Sequence, residues 1–208
     1  MSGAWDRLFE RSARLLAGLV LYGFALALLV KADLGLDPWT VFSEGVGRRT
    51  GLSLGQVTVI TSLALLLLFV PLRQRPGVGT IANALIVGPV LDLGVQVIPA
   101  PGELWLQWAF LVGAILSTAV ATGLYVGAGW GPGPRDGLMT GLAALGVPLG
   151  LGRTAIELTV LIVGWALGGT VGIATALFAA SIGPLVARAL PRLSVAPPEP
   201  SRRADSNR

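Results

Sequence analysis

The sequence predicts an all-α membrane protein of about six transmembrane helices, arranged as two inverted three-helix repeats that each include a short re-entrant or interfacial helix. The first observation is composition: 53% of the 208 residues are hydrophobic and only 12% are charged, whereas soluble domains have about 25% charged residues. The second is a weak internal repeat at an offset of about 96 residues. Because three crossings per half is an odd number, the halves should face opposite ways.

The repeat is carried by residues that serve backbone geometry rather than apolarity. At an offset of 96 residues, Gly35 falls on Gly131 and Pro38 on Pro134. One residue is then dropped, and at an offset of 95 residues Gly77 falls on Gly172. One register with a single deletion therefore relates both halves. The predicted organisation is one transmembrane domain over residues 1–193, with repeat 1 at about 11–99 and repeat 2 at about 104–191.

Six apolar stretches have or approach the length that a membrane crossing needs, about 20 residues. The last two are joined only by residues 168–170, a Gly-Gly-Thr sequence that predicts a tight turn. This boundary leaves five spans as an alternative to six. The stretches are residues 15–30, 56–72, 80–98, 104–126, 153–169 and 171–190.

The basic residues predict the orientation. With the N-terminus inside, all of the 15 Lys and Arg residues except Lys31, Arg48 and Arg49 lie on the cytoplasmic side, as the positive-inside rule requires. We therefore expect a multi-pass protein of the bacterial inner membrane with both termini in the cytoplasm. Residues 194–208 are rich in proline and polar residues, and we expect a disordered cytoplasmic tail there.

Residue types that are missing narrow the function. The chain contains no His and no Cys, which removes the usual zinc and haem ligands, thiol nucleophiles and imidazole bases. We therefore expect no enzymatic activity, no metal and no cofactor. The net charge of +4 resides mainly in loop and tail arginines, so nucleic acid is not an expected partner.

Two segments too short to cross the membrane correspond to each other, residues 37–46 and 134–145. Each carries a helix-start signal: Asp37 as N-cap before Pro38, and Gly133 before Pro134. By the charge count, the first enters from outside and the second from inside. They are predicted either to dip into the membrane and build a site between the repeats or to lie at its two interfaces, and the sequence favours neither.

Arg135 and Asp136, at the start of the second short helix, are the leading substrate-binding candidates. A guanidinium beside a helix N-terminus suits anions, although a cytoplasmic arginine also satisfies topology. The equivalent residues of the first half are Trp39 and Thr40. The full set of binding candidates is Asp37, Pro38, Trp39, Thr40, Gly131, Gly133, Pro134, Arg135, Asp136 and Gly137.

Charged residues within the spans are expensive in a membrane and form the second candidate set, for ion coupling. Asp92 stands near the middle of its span with no basic neighbour one turn away; it is either a titrating carboxylate or a structural lock with Arg188. Arg153 and Glu157 share one helix face and can pair locally, for structure or for coupling. The candidates are Asn83, Asp92, Arg153 and Glu157.

Several motifs resemble those of a known family. The sequence around Asp37-Pro38-Trp39, the sequence Gly-Val-Gly-Thr at 77–80 and, most specifically, Gly-Pro-Arg-Asp-Gly-Leu-Met at 133–139 are similar to the YczE/YitT group of bacterial integral membrane proteins. The resemblance covers residues 11–192. It implies an inner-membrane protein of five or six spans and supplies no substrate, since the group is largely uncharacterised.

The leading functional hypothesis is a small-solute secondary transporter or exporter with a site between the two repeats, in the lipid bilayer. It takes a small molecule or an ion as substrate, and six short spans enclose so little volume that a homodimer is considered as well. The alternative is a non-transporting accessory or scaffold protein that supports another enzyme or assembly. The two differ in whether Asp37, Asp92, Arg135 and Glu157 line one internal cavity.

Overall fold

The computed structural model describes residues 2–195, with side chains from Arg7 onward, and this part of the chain is helical without any strand. The all-α prediction is therefore confirmed. All but Ser194 and Val195 of the tail predicted to be disordered lies outside the described residues. The helices are α1 (Ser2–Ala32), α2 (Pro38–Thr50), α3 (Leu54–Leu68), α4 (Val78–Val97), α5 (Leu104–Gly127), α6 (Pro134–Ala144), α7 (Leu149–Ala166) and α8 (Ile173–Leu193).

Five helices, α1, α4, α5, α7 and α8, are long and apolar enough to cross a membrane. The sixth candidate is the pair α2 and α3, bent by 111° between them. The second predicted span, residues 56–72, is wrong at its end because α3 stops at Leu68. Pro71 explains the stop, since proline lacks an N–H and disfavours helical backbone in the residue before it.

Helices α1 and α5 pack against each other in opposite directions at the centre of the protein. Near the start of α1, Arg11 Nε donates to Ala128 O, just beyond the end of α5, at 2.7 Å. Near the other end, Leu29 of α1 packs in one buried cluster with Leu111, near the start of α5. The helices that correspond in the two halves of the sequence therefore run antiparallel.

Helix α4 lies along α1 in the same direction. Gly23 lies against Val90, and Gly94 lies against Ala27. Glycines at these positions let the two backbones approach closely.

Helix α8 lies along α5 in the same way, because Gly123 faces Ala189 and Gly127 faces Leu193. Each long helix of the central pair thus has one parallel neighbour.

Two loop contacts lie at opposite ends of the α1–α5 pair. After α1, Leu34 O accepts a hydrogen bond from Ala174 N at 2.9 Å, and after α5, Trp130 O accepts one from Gly79 N at 2.9 Å. These residues correspond at the offsets of the repeat, Leu34 with Trp130 at 96 and Gly79 with Ala174 at 95. The loop after α1 is therefore hydrogen-bonded to the second half of the chain, and the loop after α5 is hydrogen-bonded to the first half.

The chain ends meet at one end of the bundle. Arg14 Nη1, near the start of α1, donates to Leu193 O, the last residue of α8, at 3.0 Å. A chain that crosses a membrane an even number of times has both of its ends on the same face, as this contact requires. The orientation of that face remains a prediction from the arginines.

Both short helices begin where the sequence predicts. Asp37 is the N-cap of α2 with Pro38 in the first turn, and Gly133 is the N-cap of α6 with Pro134 in the first turn. Helix α2 extends beyond the predicted end, residue 46, to Thr50. Its C-cap is Gly51, whose left-handed φ of 76° suits glycine.

Candidate functional site

An internal cavity of about 80 Å³ lies where the start of α2 and the start of α6 meet α1, α5, α7 and α8. Five charged side chains from three segments of the chain line it. Placing so many charges within a membrane protein is costly unless they serve each other or a ligand. These residues are Asp37, Arg135, Asp136, Arg153 and Glu157.

Arg135 lies at the centre of this group. Its guanidinium carbon is 4.9 Å from the centroid of the Trp39 ring, a cation–π geometry. Its Nη1 atom is 4.0 Å from Asp37 Oδ2, which is an ion pair without a hydrogen bond. Trp39 and Arg135 are equivalent positions at the offset of 96 residues. The two halves of the sequence thus meet at this contact.

The Arg135 side chain is only 16% exposed, yet among the described residues its guanidinium donates no hydrogen bond that meets geometric criteria. A guanidinium has five N–H donors. Buried donors in proteins are nearly always paired with an acceptor. The unused donors therefore face space in which a ligand or water can accept from them.

The two carboxylate oxygens of Asp37 have different surroundings. Oδ2 accepts from Trp39 N at 3.2 Å and from Thr40 N at 3.4 Å, which caps α2. Oδ1 is buried and has no hydrogen-bond partner among the described residues. Thr118 Oγ1, on the same cavity, is buried and unpartnered within the described chain in the same way.

Two tyrosines form a further wall of the cavity. Tyr125 donates from its hydroxyl to Asp136 Oδ2 at 2.9 Å. Tyr22 packs edge-on against Tyr125, with ring centroids 6.0 Å apart. Neither tyrosine was among the candidates predicted from the sequence. The available signal was that the chain has only two tyrosines and both lie inside apolar spans, away from the interfacial belt where this residue is common.

Arg153 and Glu157 form the local pair that their spacing predicts, with Nε and Oε1 2.9 Å apart. Both residues line the cavity, and their side chains are 39% and 23% exposed. The pair is therefore more exposed than Asp37 and Arg135 and stands at the edge of the cavity rather than in its interior.

A second cavity of about 40 Å³ lies on the other side of Arg135. Its polar lining includes Thr58, Ser62 and Asn83, and Gly133 borders it. Asn83 is therefore close to the site, although it contributes to this smaller chamber. Four residues line both cavities: Tyr22, Tyr125, Arg135 and Asp136.

Asp92 is placed differently from the other candidates. Its Oδ2 accepts from Ser53 Oγ at 2.5 Å, and its Oδ1 accepts from Gly55 N at 2.8 Å. The carboxylate thereby accepts hydrogen bonds from residues at the start of α3. The predicted pairing of Asp92 with Arg188 is not formed, and Arg188 donates to Pro184 O of its own helix instead. Asp92 borders a separate apolar groove between α3 and α4. Of the four residues whose sharing of one cavity would favour transport over an accessory role, Asp92 therefore lies outside the cavity that Arg135 lines.

The remaining predicted binding residues hold the site in place. Pro38 lines the main cavity, and Thr40 and Pro134 are buried in the first turns of α2 and α6. Gly131 has a left-handed φ of 110° and lies against Thr80, outside the cavities. Gly137 packs against the Phe69 ring. These residues shape the backbone, and their side chains offer the cavity little chemistry.

Comparison with known proteins places the chain in a family. Residues 9–190 match a family of unknown function (DUF6198). An uncharacterized protein of Haemophilus influenzae is 34% identical over 183 residues, covering 88% of this chain and 84% of the relative. The uncharacterized membrane protein YczE of Bacillus subtilis is 32% identical over 184 residues, covering 85% and 83%. No solved structure matches. The chain therefore belongs to the DUF6198 family and is a YczE-like membrane protein.

Proposed function

We propose that this protein is a secondary transporter for a small solute, with its substrate site in the cavity around Arg135. The observation that carries the proposal is the convergence of Asp37, Arg135, Asp136, Arg153 and Glu157 on one internal cavity. Ionisable residues inside membrane proteins are rare, and they typically mark substrate or ion pathways. The proposed role is therefore transport rather than catalysis.

The position of the cavity supports the same function. Tyr22 lies well inside the crossing segment of α1, at 7–32, so the cavity is distant from both ends of that helix. Transporters built from two repeats bind their substrates near the midplane, where short helix N-termini point at the ligand. Helices α2 and α6 both start at this cavity.

An inverted repeat is part of the proposal. It is supported by the antiparallel packing of α1 and α5 and by the hydrogen bonds Ala174–Leu34 and Gly79–Trp130. A two-fold axis within the membrane plane would exchange α1 with α5, and it would exchange these two hydrogen bonds with each other. Trp39 and Arg135 contact each other across the same relation, and the axis therefore passes close to the proposed site.

The arginine distribution supports the localisation. We propose that the protein resides in the cytoplasmic membrane of a bacterium with both termini inside, since the end of the bundle where Arg11 and Arg14 lie would then face the cytoplasm.

Accessibility of the cavity tests the transport function without knowledge of the substrate. The natural chain has no cysteine, so a single Thr118→Cys variant carries one thiol, buried at the cavity. A transporter must open its site to each side in turn. A charged, membrane-impermeant thiol reagent should therefore label this variant in right-side-out vesicles and in inside-out vesicles.

The matched control is Val120→Cys on the same helix, where the side chain is 41% exposed on the outer surface of the bundle. Lipid should cover that position and keep the reagent away from both sides. Labelling of Thr118→Cys from one side only, or from neither, would contradict transport and favour the accessory or scaffold function.

A further inference from the structure

We infer that the Arg135 cavity binds a small zwitterion, a molecule that carries one carboxylate and one ammonium group, such as a small amino acid. This inference rests on the proposed transport function and names its substrate class. It starts from two groups of opposite charge, the mostly buried Arg135 and the buried Asp37, that both have unused hydrogen-bonding capacity.

Two groups of hydrogen-bond donors are available to the carboxylate of the ligand. The Arg135 guanidinium donates no hydrogen bond within the described part of the chain, and guanidinium groups bind carboxylates with two parallel hydrogen bonds. The N-terminus of α6, which borders the smaller cavity beside Arg135, adds to this, because its N-cap Gly133 has no side chain to bond the first-turn N–H groups. Open N–H groups and a positive helix end attract an anion.

The ammonium of the ligand has acceptors waiting for it. The Asp37 side chain is only 4% exposed, and its Oδ1 atom has no hydrogen-bond partner in the described chain. An unsatisfied buried carboxylate oxygen is costly, and an ammonium donor would remove that cost. The Trp39 ring beside it provides an aromatic face that also stabilises cations.

A ligand with a single charge satisfies only one of the two groups. A simple carboxylate would bond Arg135 and leave Asp37 Oδ1 unpaired, with more negative charge in the cavity. A simple amine would bond Asp37 and leave the guanidinium donors unused. A zwitterion pairs both groups. An amine would offset the excess of one negative charge among the three carboxylates and two arginines that line the cavity, but it would leave the Arg135 donors unused.

The size of the cavity limits the side chain of the ligand. One water molecule needs about 10–15 Å³ of cavity measured in this way. The main cavity of about 80 Å³ therefore holds a ligand equivalent to several waters, which suits glycine and alanine. Thr118 Oγ1, buried and unpartnered within the described chain, offers one more hydrogen bond at this cavity.

Calorimetric titration of the purified full-length protein in detergent tests the inference. The probes are glycine and alanine, with acetate and methylamine as analogues that carry only one of the two charges. We expect glycine or alanine to bind and each analogue to bind at least about tenfold more weakly, the loss that one strong charge-assisted hydrogen bond produces.

Variants identify the groups that bind. Arg135→Lys keeps the charge without the planar fork, and Asp37→Asn keeps an N-cap residue without the charge. Each should weaken glycine binding about tenfold or more. Arg188→Gln is the matched control, since Arg188 is exposed on α8 and, among the described residues, donates to Pro184 O of its own helix, and it should leave binding unchanged. Monodisperse elution in size-exclusion chromatography checks that each variant folds.

Other outcomes are decisive as well. Acetate that binds as tightly as glycine would overturn the inference in favour of an anion site, and methylamine that does so would indicate a cation site. Absence of glycine and alanine binding would also overturn it. If the Thr118→Cys variant is nevertheless labelled from both sides, transport stands and only the substrate class fails.

Discussion

The starts of α2 and α6 are corresponding regions with similar backbones and opposite chemistry. Both have an extended N-cap residue followed by proline. In α2 the cap is Asp37, whose own carboxylate bonds the first-turn N–H groups. In α6 the cap is Gly133, which leaves those groups open, and Arg135 stands where α2 has Trp39. The comparison teaches that the backbone framework is shared, whereas the binding chemistry resides in the differences between the halves.

Removal of the capping carboxylate should have the largest effect on this comparison. Asp37→Ala deletes the cap of α2, which costs about 1 kcal/mol, and leaves the mostly buried Arg135 without its ion-pair partner. Loss of one partner of a buried pair costs about 3 kcal/mol, the lower end of the usual range, because the atoms here are 4.0 Å apart. We expect a large drop in the thermal unfolding midpoint in detergent.

Asp37→Asn is the control for that variant. It retains the cap and loses the charge, so its unfolding midpoint should lie between those of the natural protein and Asp37→Ala. Equal midpoints for the two variants would mean that the cap contributes nothing, and the contrast between α2 and α6 would then lose its energetic basis.

A smaller effect is expected from the glycines that precede the two short helices. Gly35 and Gly131 have φ values of 108° and 110°, where alanine is strained by about 1–3 kcal/mol. A methyl group on Gly35 would meet the backbone of Gly172, whereas one on Gly131 would first meet the Thr80 side chain. Gly35→Ala should therefore lower the unfolding midpoint more than Gly131→Ala does.

Gly51→Ala is a useful reference for both, because Gly51 has a φ of 76° and nothing lies within reach of an added methyl group. Its loss of stability measures backbone strain alone. If Gly35→Ala costs no more than Gly51→Ala, the close loop contact contributes little.

The smallest change in stability should come from giving α6 the kind of cap that α2 has. Gly133→Ser supplies a hydroxyl acceptor for the first-turn N–H groups, and Ser differs from Gly as an N-cap by only a few tenths of a kcal/mol. Its Cβ would lie 3.1 Å from the Tyr125 hydroxyl and 3.3 Å from Asn83 Nδ2, so Gly133→Ala, which adds the same Cβ without an acceptor, is the reference. The serine hydroxyl would occupy the donors that the ligand uses, and glycine binding, measured by calorimetric titration, should therefore be weaker in Gly133→Ser than in Gly133→Ala, although Gly133→Ser should have the higher unfolding midpoint of the two. Equal binding by the two variants would show that the open N-terminus of α6 plays no part in the site.

The sequence predicted those features that depend on neighbours along the chain. Pro38, Pro134 and Asp37 set the starts of the short helices through local backbone geometry, and the structure has both starts at the predicted residues. The pair Arg153–Glu157 follows from helical spacing alone. For these features, no knowledge of the tertiary structure was needed.

Features that depend on helix rotation and on contacts between distant segments were beyond the sequence. Asp92 looked unpartnered because its partners, Ser53 and Gly55, belong to another helix. Tyr22 and Tyr125 gave no sign of meeting, since their contact depends on the antiparallel placement of α1 and α5. A helical periodicity describes the faces of one helix, and it does not say which neighbour each face meets.

The hydrogen bond between Ala174 N and Leu34 O has a consequence for biosynthesis. The two residues are 140 positions apart in the sequence. Because ribosomes add about 5–20 residues per second, roughly ten seconds or more pass between the synthesis of Leu34 and that of its partner. During that interval the loop after α1 must stay near water or a chaperone, because lipid offers its carbonyl no hydrogen bond. The first half of the protein can therefore be completed only when the last helix arrives.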